Sequence, residues 1–336
     1  MSAADIKEQL QQTTPDSLAD FSNVEELIMY LRVVDLAEFL AMNLPPRELI
    51  FNPWLPKAGL AMIHAGTGIG KTHMSLNIAY AIASGGSFLG WEAEEPRGVL
   101  FIDGEMPAAI LQERLKAINQ MNCNEQIPSR LKIITPDLQK MGIPDLATPE
   151  GQHLINNNIT DDIDLIILDN LSSLIQSGKE NESDSWQPIQ TWLLALRRQG
   201  KTVLLIHHAG KSGSQRGTSK RADVLDSVIR LERPDGYLQE QGARFNIHFE
   251  KSRGFYGEDA KSFEAGLIKD RNGNSTWITN TLKETTIEAV ARLLNEGMSQ
   301  ENIAKKINRD PSTISRHAKK ASERGLIKAW RGKSEK

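Results

Sequence analysis

"AMIHAGTGIGKTHMSLNIA" spans residues 61–79. An apolar run, Ala61-Met62-Ile63, gives way to three glycines in five residues, Gly66, Gly68 and Gly70, followed at once by Lys71 and Thr72. Met74, Leu76, Ile78, Ala79 and Ile82 continue in a helical pattern. Strand, glycine loop and helix N-terminus in this order make an anion site. The first turn of a helix has unpaired N–H groups and the positive end of the dipole. Glycine lets the backbone wrap an anion with those groups turned inward. The spacing Ala65-x4-Gly70-Lys71-Thr72 is a Walker A pattern with Ala in place of the first Gly. The expected phosphate cradle is Ala65, Gly66, Thr67, Gly68, Ile69, Gly70, Lys71, Thr72 and His73. In it Lys71 reaches the β- and γ-phosphates of a nucleoside triphosphate, ATP, and the Thr72 hydroxyl holds Mg²⁺.

The 336 residues allow one large core plus small appendages. Charged residues are 25% and hydrophobic residues 39%, an ordinary globular balance. No apolar stretch approaches the roughly 20 residues of a membrane span. The start, "MSAADIKEQLQQTTPD", lacks a basic head and apolar core, so a cytoplasmic protein without a secretory signal is expected. Cys123 is the single cysteine, which excludes an internal disulfide and a Cys-rich metal site. The net charge of −3 argues against a nucleic-acid binder until its distribution is considered. Residues 287–336 carry 12 Lys/Arg and 6 Asp/Glu, a net of +6; the rest carries 28 and 37, a net of −9. A basic tail on an acidic body suggests a separate nucleic-acid-facing module. A solvated charged helix would give the same charge pattern.

Residues 1–44 have a helical, acidic pattern with Val24, Leu27, Ile28, Leu31, Val34, Leu36, Phe39 and Leu40 at apolar positions, stopped by Pro45-Pro46. "NPWLPKAG", residues 52–59, is rich in turn residues. Strands are then expected over Gly98–Asp103, Leu131–Thr135, Asp164–Asp169 and Thr202–His207, with helices over Ala108–Met121 and Trp186–Gln199. Strands apolar on both faces and separated by helices predict an α/β fold, a parallel sheet covered on both sides. Arg244–Glu250, Ser262–Ile268 and Thr276–Thr279 alternate more strictly and predict antiparallel additions at its edge. "AGKSGSQRGTSKR", residues 209–221, is too polar to pack and reads as a loop.

Hydrolysis needs a held metal and a group that positions water. Asp169, closing "LIILD", fits the Walker B acid that holds Mg²⁺ together with Thr72; a strand-terminal Asp capping a turn with Asn170 is the plainer reading. Asp103 and Glu105, in "DGEMP", end another strand where carboxylates face a ligand crevice. Glu105 has the longer reach, and Gly104 permits a sharp turn beneath it, so Glu105 is favoured as water positioner, with Asp103 behind it or on metal. His207 and His208 end "TVLLIHH", where a polar residue could sense the γ-phosphate or serve as a satisfied core histidine.

The stretches "NPWLPKAGLAMIHAGTGIGKT", "FIDGEMPAAILQERL", "LIILDN", "LLIHHAGKSGSQRGTS" and "FEKSRGFYGEDAKSF" resemble the RecA-like ATPases of the DnaB-type replicative-helicase superfamily, and within it the plasmid RepA-type group. The resemblance covers roughly residues 45–270. It implies a RecA-like parallel sheet with helices on both faces, Glu105 as catalytic carboxylate and His207 as sensor. It also implies a Lys-x-Arg-Gly turn, Lys251-Ser252-Arg253-Gly254, whose Lys251 and Arg253 project into a neighbouring subunit's nucleotide. The N-terminal region is far shorter than a DnaB-type primase-contacting domain, and the C-terminus carries an extra module.

That module has helical stretches at Ile287–Asn295, Gln300–Ile307 and Pro311–Arg324, followed by "GLIKAW" as a wing strand. It resembles a winged helix-turn-helix, a fold that also serves as a small dimerisation domain. Ser312, Thr313, Ser315 and Arg316 would lie near base edges, and Lys319, Lys320 and Arg324 near phosphates. The expected divisions are an acidic helical segment over 1–45, an ATPase domain over 46–284 and the winged helix-turn-helix over 285–336. Function is then expected to be an ATP-driven motor on DNA, a homo-hexamer or other homo-oligomer serving plasmid or mobile-element replication. Lys211, Arg216 and Lys220 of the basic loop would line a channel for single-stranded DNA. The alternative is a DNA-binding regulatory or initiator ATPase that does not unwind.

Overall fold

The computed structural model describes residues 32–122, 127–176, 183–208, 222–234, 236–269, 275–282, 286–323 and 325–327. The loop at 209–221 with Lys211, Arg216 and Lys220, the single Cys123, Arg324, the helical pattern before residue 32 and most of the expected wing lie outside them. A short helix α1 (Leu36–Ala41), N-capped by Asp35, precedes the core and buries none of its residues. A hairpin β1 (Leu49–Phe51) and β2 (Leu55–Pro56) follows. The central strand β3 (Leu60–Ala65) leads through the glycine loop into α2 (Lys71–Ser84). A second hairpin, β4 (Ser87–Phe88) and β5 (Trp91–Glu92), leads to β6 (Val99–Asp103), α3 (Ala108–Met121) and β7 (Leu131–Ile134). Next come α4 (Pro149–Asn156), β8 (Leu165–Asp169), the short α5 (Leu171–Leu174), α6 (Ser183–Arg198) and β9 (Thr202–His208). The chain then adds β10 (Ser227–Glu232), β11 (Arg244–Ser252), β12 (Phe263–Lys269) and β13 (Ser275–Thr281). It ends in α7 (Thr286–Asn295), α8 (Gln300–Lys306) and α9 (Pro311–Glu323).

Among the described residues nine strands form one sheet in the order β13-β12-β11-β10-β3-β9-β8-β6-β7. From β10 to β7 every pairing is parallel, and β11, β12 and β13 extend the β10 edge as antiparallel strands. The parallel part is covered on both faces, and the side chains sort by the two-residue period of a strand. Ala61, Ile63, Val99, Phe101, Leu165, Ile167, Leu204 and Ile206 join the core under α2 and α3. Their alternates Leu60, Met62, Leu100, Ile102, Ile166, Leu168, Val203 and Leu205 join the core with Trp186, Ile189, Trp192 and Leu193 of α6. Each such Leu, Ile or Phe contributes about 1.5–3 kcal/mol by leaving water.

The antiparallel strands fall where the alternation places them, but nothing in the alternation marks β10. Its pattern, "SVIRLE", interrupts the apolar run with Arg230 and Glu232. The 52–59 stretch is more than a turn: Phe51 and Trp54 pack edge-on against Trp91, with ring centroids 6.2 and 5.3 Å away. The C-terminal helices have a core of their own, built on Val290, Leu293, Ile303, Ile314 and Ala318.

Candidate active site

Strand register gathers the site. Ala65 pairs with His208, Asp169 with Ile206, and Asp103 with Asp169. The phosphate loop, Glu105, Asp169 and His208 therefore collect at the carboxyl edge of the parallel strands, where open α/β sheets hold ligands. Two loop glycines are required by geometry. Gly68 has φ of +73° and Gly70 +120°, and a Cβ at Gly70 would stand 3.0 Å from the Phe245 ring.

Lys71 is buried at the start of α2. Its Nζ donates to the carbonyls of Ala65 at 3.2 Å and Gly66 at 3.1 Å, and to His208 Nδ1 at 2.9 Å. Accepting there, His208 carries its ring proton on Nε2, which lies 3.9 Å from a Glu105 carboxylate oxygen. Burial lowers the Lys71 pKa to about 8, against the opposing pull of Asp169 and Glu105. Glu105 is largely exposed, and its Oε2 accepts from Asn170 Nδ2 at 2.6 Å. Asn170 is itself fixed, because its Oδ1 accepts the Ser173 N–H and caps α5. Asp169 is buried and accepts from the Ser75 hydroxyl at 2.8 Å and from Thr72. Burial raises its pKa to about 6, and does the same for Asp103, which accepts the Met106 N–H at 2.8 Å. Gly104 is there for close approach: a Cβ would stand 2.5 Å from Ser173 Oγ and 2.8 Å from Leu174.

His208, and not His207, meets Lys71 and Glu105. His207 is buried on the strand, paired in register with His64. Asn170 and Ser75 join these side chains without having been singled out from sequence, and of the two histidines that end the strand it is His208 that reaches them. Their signals were present: Ser75 is one turn beyond Thr72, and the other two adjoin assigned residues.

Lys251 and Arg253 are not brought to this site. Ser227 of β10 pairs with both Ser252 and Ala61, so the Lys-x-Arg turn lies at the amino edge of the sheet. The cradle follows Ala65, about 13 Å away at 3.3 Å per residue. There Lys251 Nζ donates to the carbonyls of Ala222 and Asp223 at 2.6 and 3.0 Å. Arg253 is half exposed, 3.9 Å from the buried carboxylate of Asp226, which Arg47 grips at 2.9 Å and which accepts the Leu60 N–H.

A cleft of about 250 Å³ opens beside the first turns of α2, lined by His73, Asn77, Ile110, Glu113, Arg114 and Leu267 among others. Burial, then the Arg114 charge, lowers the His73 pKa to about 4, so the imidazole is neutral at ordinary pH. The donor set fits a triphosphate with Mg²⁺: glycine-loop amides, one lysine, and the Thr72 hydroxyl beside Asp169. Among the described residues no cluster of three His, Cys, Asp or Glu could hold a metal alone.

In the C-terminal module, Ser299 accepts the Asn302 N–H and caps α8, and Asp310 accepts the Ser312 N–H ahead of α9. Gly297 at φ +84° and Asn308 at φ +49° make the turns. Ile314 and Ala318 are buried, while Ser312, Ser315, Arg316, Lys319 and Lys320 are exposed and Thr313 is half-buried. No helix among the described residues is long and apolar enough to cross a membrane.

Comparison with known proteins follows the same two parts. A KaiC-like protein of the archaeon Pyrococcus horikoshii is 16% identical, with a TM-score of 0.49, covering 70% of this chain and 96% of its own. The flagellar accessory protein FlaH of Methanocaldococcus jannaschii is 14% identical, with a TM-score of 0.43, covering 67% and 91%. The RadB recombinase is 14% identical, with a TM-score of 0.44, covering 68% and 93%. No curated protein matches in sequence. A helix-turn-helix domain model matches residues 283–321, and an AAA domain model matches residues 25–214. With more than half of its length matched by that model, the chain belongs to the AAA domain family, an ATPase family, and carries a helix-turn-helix domain behind it.

Proposed function

We propose that the protein is an ATP-hydrolysing, DNA-binding motor of replicative-helicase type that works as a homo-oligomer, serving plasmid or mobile-element replication. The observation that carries the ATPase part is the convergence of Lys71, Glu105 and Asp169 at one sheet edge. The cradle amides and Lys71 hold the β- and γ-phosphates, and the 250 Å³ cleft takes the nucleoside. Thr72 and Asp169 would hold Mg²⁺, which would supply charge neutralisation to the triphosphate. Glu105, oriented by Asn170, accepts a proton from the attacking water. His208, set between Lys71 and Glu105, registers whether a γ-phosphate has drawn Lys71 away.

The DNA part rests on the helix-turn-helix, with Ser312, Thr313, Ser315 and Arg316 near base edges and Lys319 and Lys320 on phosphates. Lys211, Arg216 and Lys220 extend the reading to a single-strand channel, and Lys251 and Arg253 to the neighbour's nucleotide. The exposed face of α9 equally suits a regulatory or initiator ATPase that selects a duplex site. The test measures ATPase rate with and without single-stranded DNA, and unwinding of a tailed duplex, in one preparation. Stimulation together with unwinding is the motor's result. Hydrolysis with duplex binding but no unwinding hands the assignment to the regulatory reading.

A further inference from the structure

The phosphate loop has a second neighbour that no motif marks. Strands β10 and β3 run parallel with Leu231 level with Ala65, so the chain leaving β10 passes beside the loop leaving β3. Arg233 is the first residue past β10, and its Nη2 donates to the Gly68 carbonyl at 3.2 Å. Its guanidinium carbon sits 4.5 Å from the centre of the Tyr237 ring, a cation–π contact that holds the fork in place. Tyr237 is tied down in turn, its hydroxyl donating to the Gly242 carbonyl at 2.8 Å. Three residues on, Phe245 closes against Gly70. Residues 233–245 thus touch the loop at both positive-φ glycines, with Asp235 outside the described residues.

We infer that Arg233 is a positioning residue for the triphosphate, acting in its own subunit through the Gly68–Ile69 peptide. A trans peptide is planar, with its C=O and N–H pointing in opposite directions. A Gly68 carbonyl held toward Arg233 sends the Ile69 N–H the other way, into the cradle. Glycine makes the loop easy to wrap, and also free to turn that peptide over. An arginine contact removes that freedom before the ligand arrives. Its place is distinct from that of Lys71, whose Nζ contacts the Ala65 and Gly66 carbonyls, and from Arg253 at the other edge of the sheet.

The inference rests on residues 65–73 being a triphosphate cradle, and the experiment separates the two. Full-length protein, R233A and R233K are titrated with ATP and with inorganic tripolyphosphate, and kcat and KM are measured for each. Loss of one charge-assisted contact predicts that R233A raises Kd for both ligands, and KM for ATP, by about tenfold. R233A is expected to keep kcat within about twofold, since the group acts on binding alike in ground and transition states. R233K, with one donor in reach of the carbonyl, is expected to recover part of the affinity. Unchanged Kd in R233A, beside normal wild-type binding, overturns the role of Arg233. So does a fall in kcat with Kd intact, which would mean contact with the transferring group, or an R233K no tighter than R233A. Wild-type protein that binds neither ATP nor tripolyphosphate overturns the cradle reading itself.

Discussion

At the scale of single residues, the proposed mechanism gives Lys71, Glu105 and Asp169 separable tasks, and substitutions should separate them. Lys71→Ala removes the one cation inside the loop, so hydrolysis should stop and triphosphate binding should weaken greatly while the fold survives. Glu105→Gln leaves the cradle whole and keeps a group for Asn170 to hold; it should bind ATP normally and turn over about 10²–10⁴-fold more slowly. Titration of ATP beside single-turnover hydrolysis checks both, and normal turnover in Glu105→Gln would move the task to Asp103. The perturbed groups also predict a pH profile. Lys71 must be protonated to attract phosphate, and its pKa of about 8 means kcat/KM falls as pH rises through that value. In the proposed role Asp169 would have to be ionised to hold the metal, so with its pKa of about 6 activity should fall as pH drops through that value. Asp103 titrates in the same range, so the acid limb belongs to the pair. A kcat/KM that stays level well above pH 8 would remove Lys71 ionisation from the alkaline limb. The glycine loop between β3 and α2 is legible in the sequence because its glycines, lysine and threonine are contiguous. Asn170, Ser75 and His208 gain their partners only through strand register and helix packing, which local sequence does not print.

At the scale of elements, the parallel strands were legible because burial on both faces leaves no polar residue to confuse them, as in "LIILD" and "TVLLI". Strand β10 was not, because Arg230 reaches out to Glu232 and to Glu250 at 2.8 Å, letting charged side chains occupy an interior strand. Helix α4 carries its signals only at its start, where Thr148 caps it and Pro149 opens it. The C-terminal helices were legible in number and nearly in length, since Ile314 and Ala318 repeat at helical spacing on a polar helix. Their core includes Val290, Leu293, Ile303 and Ile314, all fully buried among themselves and their neighbours. Deleting residues 285–336 should therefore leave Lys71-dependent hydrolysis intact and abolish or weaken duplex binding. The isolated segment should bind duplex with strong salt dependence, because each neutralised phosphate releases counterions. Lys319→Ala should weaken all sequences alike, and Arg316→Ala should relax discrimination at one position by about 1–3 kcal/mol. A folded segment without DNA affinity at low salt would make the module an interaction domain.

At the scale of the whole molecule, the sheet separates two sets of charged residues that one nucleotide would have to share. Glu105 stands at the carboxyl edge, and Arg253 at the amino edge, beside Asp226. Parallel register fixes that separation, so Arg253 cannot serve its own subunit's γ-phosphate without the sheet breaking. If it works on a phosphate, it works on a neighbour's. Guanidinium suits that task, matching phosphate oxygens two at a time and stabilising the charge of the transferring group. Activity should then rise with protein concentration as subunits assemble. Arg253→Ala and Glu105→Gln proteins should each be nearly inactive, because every interface lacks one of the two groups. Mixed and allowed to exchange, they should recover activity. With random assortment at equal amounts, about a quarter of the interfaces receive an intact glutamate from one side and an intact arginine from the other. The measurement is hydrolysis across a series of mixing ratios, with exchange followed by a labelled subunit. Recovery that peaks near equal amounts supports an arginine acting between subunits. No recovery at any ratio, with exchange demonstrated, leaves Arg253 as a partner of Asp226 that secures the start of β10 and nothing more.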